Sequence, residues 1–123
     1  EPLSGPGNFY KPSMLDRVGP GMRAYEEELF GPVAIVLRAK NEDDALQLVN
    51  DNRYGLGASV WTKDIAKGER FARRMQSGAS FVNGMVKSDP RLPFGGVKAS
   101  GYGRELSVIG IREFVNAKTV WIR

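Results

Sequence analysis

Residues 93–105 read Pro93-Phe94-Gly95-Gly96-Val97-Lys98-Ala99-Ser100-Gly101-Tyr102-Gly103-Arg104-Glu105. Four glycines fall within the nine residues from Gly95 to Gly103. Ordering a segment so rich in glycine costs chain entropy, a cost tolerated where the backbone must turn sharply or approach another group closely. A β-like run, Ala79 to Asn83, precedes the loop and a helix-like run, Arg104 to Val115, follows it. Taken alone, the loop is either a structural turn or the wall of a site.

The surrounding chain narrows the choice. Its 123 residues suit one domain, and 41% hydrophobic and 26% charged residues are ordinary for a globular protein. No apolar run approaches the ~20 residues of a membrane span, and no charged-then-apolar leader stands at the start. We therefore expect no membrane association and a cytoplasmic setting. The chain begins at Glu1 without Met, so a fragment is expected. Cysteine and histidine are both absent. That excludes disulfides, thiolate nucleophiles, His-assisted serine chemistry and the usual zinc sites within this chain. The net charge of +4 comes from Lys and Arg scattered among acids. Arg70, Arg73 and Arg74 form the one local cluster, read as the solvated face of a helix, and no nucleic-acid partner is expected.

Hydrophobic patterning orders the elements. Phe9 to Leu15 is an extended candidate, and Gly19-Pro20-Gly21 a turn. Ala24 to Phe30 is a short helix ended by Gly31-Pro32. Val33 to Ala39 reads as a buried strand. Asn41 and Asp44 form a capping-box-like pair ahead of a helix with Glu42, Asp43 and Asp44 in its first turn. Gly57 to Thr62 is a second strand. Thr62 caps a helix over Lys63 to Gln76, weakened at Gly68 by about 1 kcal/mol, with Gly78 as its C-terminal cap. Ala79 to Asn83 is the third strand. The alternation of strand and helix predicts an α/β fold: a parallel sheet covered by helices. Ligands of such sheets lie beyond the carboxyl ends of strands, where the glycine loop begins, so the loop reads as a site wall. The alternating segment Ala117 to Arg123 reads as a strand. It pairs either with a sheet outside this chain or another subunit, or with the edge of the same sheet.

Known phosphate signatures fail. Gly55-x-Gly57 precedes a strand and lacks a third glycine, Gly101-x-Gly103 lacks the sixth-position Gly or Ala, and Lys98 does not directly follow a glycine.

Two spaced segments resemble a known family. Glu27-Glu28-Leu29-Phe30-Gly31-Pro32-Val33 resembles the Glu-(Ile/Leu)-Phe-Gly-Pro motif of aldehyde dehydrogenases, and residues 93–105 resemble their Pro-Phe-Gly-Gly-x-Lys-x-Ser-Gly-x-Gly-Arg-Glu motif. The intervening Tyr54-Gly55-Leu56-Gly57-Ala58-Ser59-Val60 and Gly78-Ala79-Ser80-Phe81-Val82-Asn83 are similar to family segments too, and Lys118-Thr119-Val120 fits the family's last strand. The resemblance covers essentially the whole chain and matches the C-terminal quarter or so of such an enzyme. It implies a parent that oxidises an aldehyde to an acid with NAD or NADP. The nucleophilic Cys and the general-base Glu would lie upstream, so the isolated chain is expected to be inactive. It further implies that residues 1–116 belong to the catalytic domain, that 117–123 form a strand in an oligomerisation sheet, and that the parent is a homodimer or homotetramer. The alternative is a stand-alone α/β module for ligand binding or assembly.

Carried over residue by residue, the resemblance makes Glu28 the holder of the nicotinamide ribose hydroxyls and Phe30 a neighbour of the nicotinamide. On local pattern alone, Glu28 is a solvated acid in a run of three and Phe30 a core aromatic. Phe94 would line the substrate tunnel. Asn83 would tie down its loop, and Lys98, Arg104 and Glu105 would brace the glycine loop or cap the last helix. Lys87-Ser88-Asp89-Pro90-Arg91-Leu92 and Glu105-Leu106-Ser107 resemble bacterial succinate-semialdehyde dehydrogenases. Ser88 would donate a hydrogen bond to the distal carboxylate of that substrate, and Arg91 is read as a surface partner of Asp89.

Overall fold

The computed structural model describes residues 2–123. Strands and helices are mixed along the chain and gather into two compact units, Glu1–Leu48 and Val49–Arg123.

In the first unit, β1 (Ser13–Asp16) and β2 (Val33–Val36) pair in parallel, Ser13 opposite Val33 and Asp16 opposite Val36. The Ser13 N–H donates to the Pro32 carbonyl at 3.0 Å and the Val18 N–H to the Val36 carbonyl at 3.2 Å, so the pairing continues past both ends. Val18 is buried beside it. The Arg38 guanidinium donates twice to the Asp16 carboxylate and holds that carboxyl below its ordinary range. The connection between the strands carries α1 (Arg23–Glu26), a single turn. Helix α2 (Glu42–Asn50) starts as its residues require. Asn41 Oδ1 accepts from the Asp44 N–H at 2.9 Å, and the Asp44 carboxylate reaches back to the Lys40 N–H at 2.8 Å, one residue earlier than in a standard capping box. Leu46 buries its apolar face.

The second unit is built around a strand–helix–strand crossover. Strands β4 (Gly57–Val60) and β5 (Ala79–Val82) are parallel, with Gly57 opposite Ala79 and Val60 opposite Val82. Helix α3 (Ile65–Arg74) connects them and packs on both. Strands β3 (Tyr54–Gly55) and β6 (Val97–Lys98) form a short antiparallel pair, and α4 (Ser107–Arg112) follows. A Cβ on Gly68 would stand 2.7 Å from Val82 Cγ1 and 2.9 Å from Thr62 Cγ2. The glycine is therefore what lets α3 settle on β5, which offsets its poor helix propensity.

Several expectations are revised. The fold is mixed α/β, but the three apolar strands do not share one sheet: β4 and β5 pair as expected, while β2 pairs with β1. Periodicity identifies a strand but not its non-local partner. The cap of α3 is Asp64, whose carboxylate accepts from the Lys67 N–H at 2.9 Å, while Thr62 Oγ1 accepts from the Asp64 N–H. Gly78 is not a helix cap, since Met75 ends α3 in extended geometry. A Cβ on Gly78 would collide with the Gly95 carbonyl oxygen and stand 3.0 Å from Gly96 Cα, so Gly78 lets the glycine loop cross the start of β5 in direct backbone contact. Helix α4 cannot extend back to Arg104, because Leu106 has φ +63° and Glu105 pairs with Phe94 instead. Residues 117–123 join no strand or bridge among the described residues, so the edge position in this chain's own sheets is not taken. Trp121 is 85% exposed and Ile122 89% exposed. No helix of the described residues is long and apolar enough to cross a membrane.

The chain exposes 10283 Å². A folded monomer of this mass exposes about 6,600 Å², and the same mass divided equally between two free globules about 7,900 Å². Large apolar side chains, including Phe9, Trp61, Met85 and Phe114, stand exposed, the kind of surface found at interaction sites.

Gly78→Ala is expected to destabilise by about 3 kcal/mol, because backbone rather than a movable side chain fills the space. Gly19→Ala, where a Cβ meets nothing within 4 Å, should change stability by no more than about 0.5 kcal/mol. Denaturant unfolding of the two variants measures the difference, and equal midpoints would remove the close-crossing role.

Candidate functional site

The first candidate surface follows α1. The helix stops at Glu27, which is extended and donates its N–H to the Arg23 carbonyl. The Arg23 guanidinium returns two hydrogen bonds of 2.9 Å to the Glu27 carboxylate and holds that carboxyl below its usual range. Glu27 is thus engaged, whereas Glu28 is exposed and has no hydrogen bond or ion pair among the described residues. Both of its carboxylate oxygens stand ready to accept from a neutral donor pair such as a diol. Two residues on, Phe30 has φ +42°, an uncommon backbone state for a bulky side chain. Its ring is 92% exposed, so it is no core aromatic of this chain. Ala24, Glu27, Glu28, Leu29, Phe30 and Gly31 line an open groove of about 620 Å³. Strained backbone beside a presented aromatic and an unengaged carboxylate is the pattern of a binding edge.

The second surface is the glycine loop, braced from four sides. Phe94 and Glu105 exchange both backbone hydrogen bonds, at 2.9 and 2.8 Å, closing the loop at its base. Inside it, Arg104 Nη1 donates to the Gly96 carbonyl at 2.8 Å and the Gly103 carbonyl at 2.6 Å, part-buried. Ser100 Oγ accepts from the Gly55 N–H at 2.9 Å. Lys98, at φ +56°, sends its ammonium to the carbonyls of Asn50 and Asn52 at 2.7 and 3.0 Å, a favourable cation at the C-terminal end of α2. Lys98, Ser100 and Arg104 are therefore spent on carbonyl and amide groups of the main chain. What remains is a hollow of about 420 Å³ lined by Leu56, Phe94, Ser100, Tyr102 and Glu113 among others, with Phe94 half-buried in its wall. The loop is thus a braced turn, and the same turn forms one side of the hollow.

The strand before this loop ends at a fixed point. Asn83, at φ +52°, donates from Nδ2 to the Thr62 carbonyl and accepts on Oδ1 from the Thr62 N–H, both at 2.8 Å. The following loop carries Ser88, which is exposed and lines neither hollow. Arg91 donates to the Asp89 carboxylate from its backbone N–H, from Nε and from Nη2. These bonds take the Asp89 carboxyl down to about 2, the guanidinium acting first and the backbone N–H second. Arg91 is therefore the partner of Asp89 that the sequence suggested.

Glu28 and Phe30 share one groove of the first unit, while Ser88 and Phe94 belong to the second unit, where Phe94 lines the loop hollow and Ser88 does not. Sequence reasoning passed over Tyr102, fully exposed at the rim of the loop hollow. Its place between Gly101 at φ +121° and Gly103 at φ +76° is the signal that projects it outward.

Comparison with known proteins finds relatives over nearly the whole chain. The model of the aldehyde dehydrogenase family covers residues 1–120. A probable NADP(+) succinate-semialdehyde dehydrogenase of Synechocystis sp. is 52% identical over 120 residues, 98% of this chain and 26% of that protein. An NADP(+) succinate-semialdehyde dehydrogenase of Mycobacterium ulcerans is 50% identical over 122 residues, 99% of this chain and 27% of that protein. The crystal structure of a succinic semialdehyde dehydrogenase from Streptococcus pyogenes in complex with NADP+ superposes with a TM-score of 0.94 at 37% identity, over 99% of this chain and 27% of that one. The chain thus spans about a quarter of the length of the relatives it matches. With both motifs placed in the matched fold and residues 1–120 covered by the family model, the chain belongs to the aldehyde dehydrogenase family.

Proposed function

We propose that this chain is the C-terminal part of an enzyme that oxidises succinate semialdehyde to succinate with NADP or NAD. The observation that carries the reading is the 50–52% identity to succinate-semialdehyde dehydrogenases. The presentation of Glu28 and Phe30 in one groove supports it. The unpartnered Glu28 carboxylate suits a ribose diol, and the exposed Phe30 ring suits the face of a nicotinamide. The bound nicotinamide supplies the hydride acceptor. The residues of this chain bind and orient: Glu28 accepts from the ribose hydroxyls, Phe30 packs beside the ring, Phe94 walls the substrate tunnel and excludes water, and Ser88 donates to the distal carboxylate. The nucleophilic Cys and general-base Glu belong to the upstream part of the enzyme, so the isolated chain has no turnover. In this reading residues 1–116 complete the catalytic domain, and 117–123 pair in an intersubunit sheet of a homo-oligomer. The exposed apolar surface favours it over a stand-alone module.

In the full-length enzyme, Glu28→Gln is expected to weaken cofactor binding or slow hydride transfer by about tenfold, the size of a lost hydrogen bond to a charged group. Cofactor titration and the rate of nicotinamide reduction measure it, and unchanged values for both would remove the ribose role. Ser88→Ala is expected to raise KM for succinate semialdehyde about fivefold while leaving KM for an uncharged aldehyde unchanged. Equal changes for both substrates would show that Ser88 does not hold the carboxylate.

A further inference from the structure

The residues around Ser88 pose an electrostatic problem. A hydroxyl that is to receive an anionic substrate has a carboxylate, Asp89, as its immediate neighbour. Like charges carried on one short turn repel, and the repulsion would oppose the substrate the loop is proposed to bind. Protonation does not relieve it, because the Asp89 carboxyl is held down to about 2 and remains ionised in ordinary working conditions.

The geometry points to Arg91 as a specificity-determining positioning residue, which neutralises Asp89 so that the Ser88 loop accepts a carboxylate-bearing aldehyde. This inference rests on the reading of Ser88 given above. Arg91 Nε reaches Asp89 Oδ1 at 2.9 Å and Nη2 reaches Oδ2 at 2.7 Å, a side-on bidentate grip on both oxygens. Two further contacts keep the pair in register. The Leu92 N–H donates to the Asp89 carbonyl at 2.9 Å and closes the turn, and the Ser107 N–H donates to the Pro90 carbonyl at 3.0 Å and ties the turn to the start of α4. The Asp89 side chain is 27% exposed and that of Arg91 is 86% exposed, so the acid is the fixed member and the cation covers it from the solvent side.

Two functions of Asp89 separate cleanly. Its Oδ1 also accepts from the Arg91 backbone N–H at 2.9 Å, which shapes the turn. An asparagine at this position keeps that acceptor on its amide oxygen, while its NH2 in place of Oδ2 removes the charge and the bond from Arg91 Nη2. The local charges flanking Ser88 are Lys87, Asp89 and Arg91, which sum to +1. Arg91→Gln takes the sum to 0 with the acid uncovered, Asp89→Asn takes it to +2, and the double variant restores +1.

The test uses the full-length enzyme carrying this sequence, the three variants, and two substrates: succinate semialdehyde and an uncharged aldehyde of similar length. Arg91→Gln is expected to raise KM for the semialdehyde about two- to fivefold, the range of a solvent-screened charge. Asp89→Asn should lower it below the parent value, and the double variant should return close to the parent. Across the series kcat and the KM for the uncharged aldehyde should hold steady, and the differences should shrink as salt is raised. Parallel shifts for both substrates, or a double variant that does not return, would overturn the role. Ser88→Ala run alongside separates the two readings. If it selectively weakens the semialdehyde while Arg91→Gln leaves the substrate ratio unchanged, the Arg91 role falls and the Ser88 reading stands. If neither substitution changes the ratio, both fall.

Discussion

The second unit depends on the reciprocal backbone pair between Phe94 and Glu105. Everything between these residues is glycine-rich and intrinsically mobile, and the pair turns it into a closed ring. The Arg104 guanidinium then binds two carbonyls of that ring, leaving few polar groups for water to pull outward. The ring crosses the start of β5 where Gly78 has no side chain. A neutral hydrogen bond contributes only about 1 kcal/mol, so no single contact here decides the outcome. The arrangement holds because each contact presupposes the others: without the Phe94–Glu105 pair, Arg104 has no fixed carbonyls to bind.

The same economy explains the shape of both candidate surfaces. Cations and hydroxyls of the glycine loop are directed to the main chain, so that even where Ser100 and Arg104 line the hollow their polar atoms are already engaged. In the first unit the division falls between neighbours, with Glu27 paired to Arg23 and Glu28 left unengaged. Adjacent residues of one type thus carry different duties. The helix decides which is which, because Glu27 lies one turn from Arg23 and Glu28 does not.

Local features of the fold were legible in the sequence where the physics is local. The Asn41–Asp44 cap and the strand–helix–strand of β4, α3 and β5 appear where residue type and spacing place them, and the anchoring amide of Asn83 appears where the family resemblance implied it. The partner of β2 was not legible, since its apolar run suits any parallel neighbour and its pairing with β1 is a matter of long-range geometry. Gly78 was misread because a glycine after a helix ordinarily ends it, while here the constraint comes from residues 95 and 96. The onset of α4 shifted for the same reason: Glu105 has good helical neighbours but a stronger commitment to Phe94. Of the site residues, Glu28 and Phe30 look ordinary by local pattern. Their exposure and the strained φ of Phe30 appear only in three dimensions.

The bracing of the glycine loop by main-chain partners has a consequence for how such a protein changes over generations. Lys98, Ser100 and Arg104 secure the loop without relying on the side chain of Phe94 or on any residue of the 84–92 segment. Exchanges at those positions therefore leave the frame intact. The frame and the surface it carries rest on different residues of the same few turns. A loop built this way can change its lining by single substitutions without passing through poorly folded intermediates.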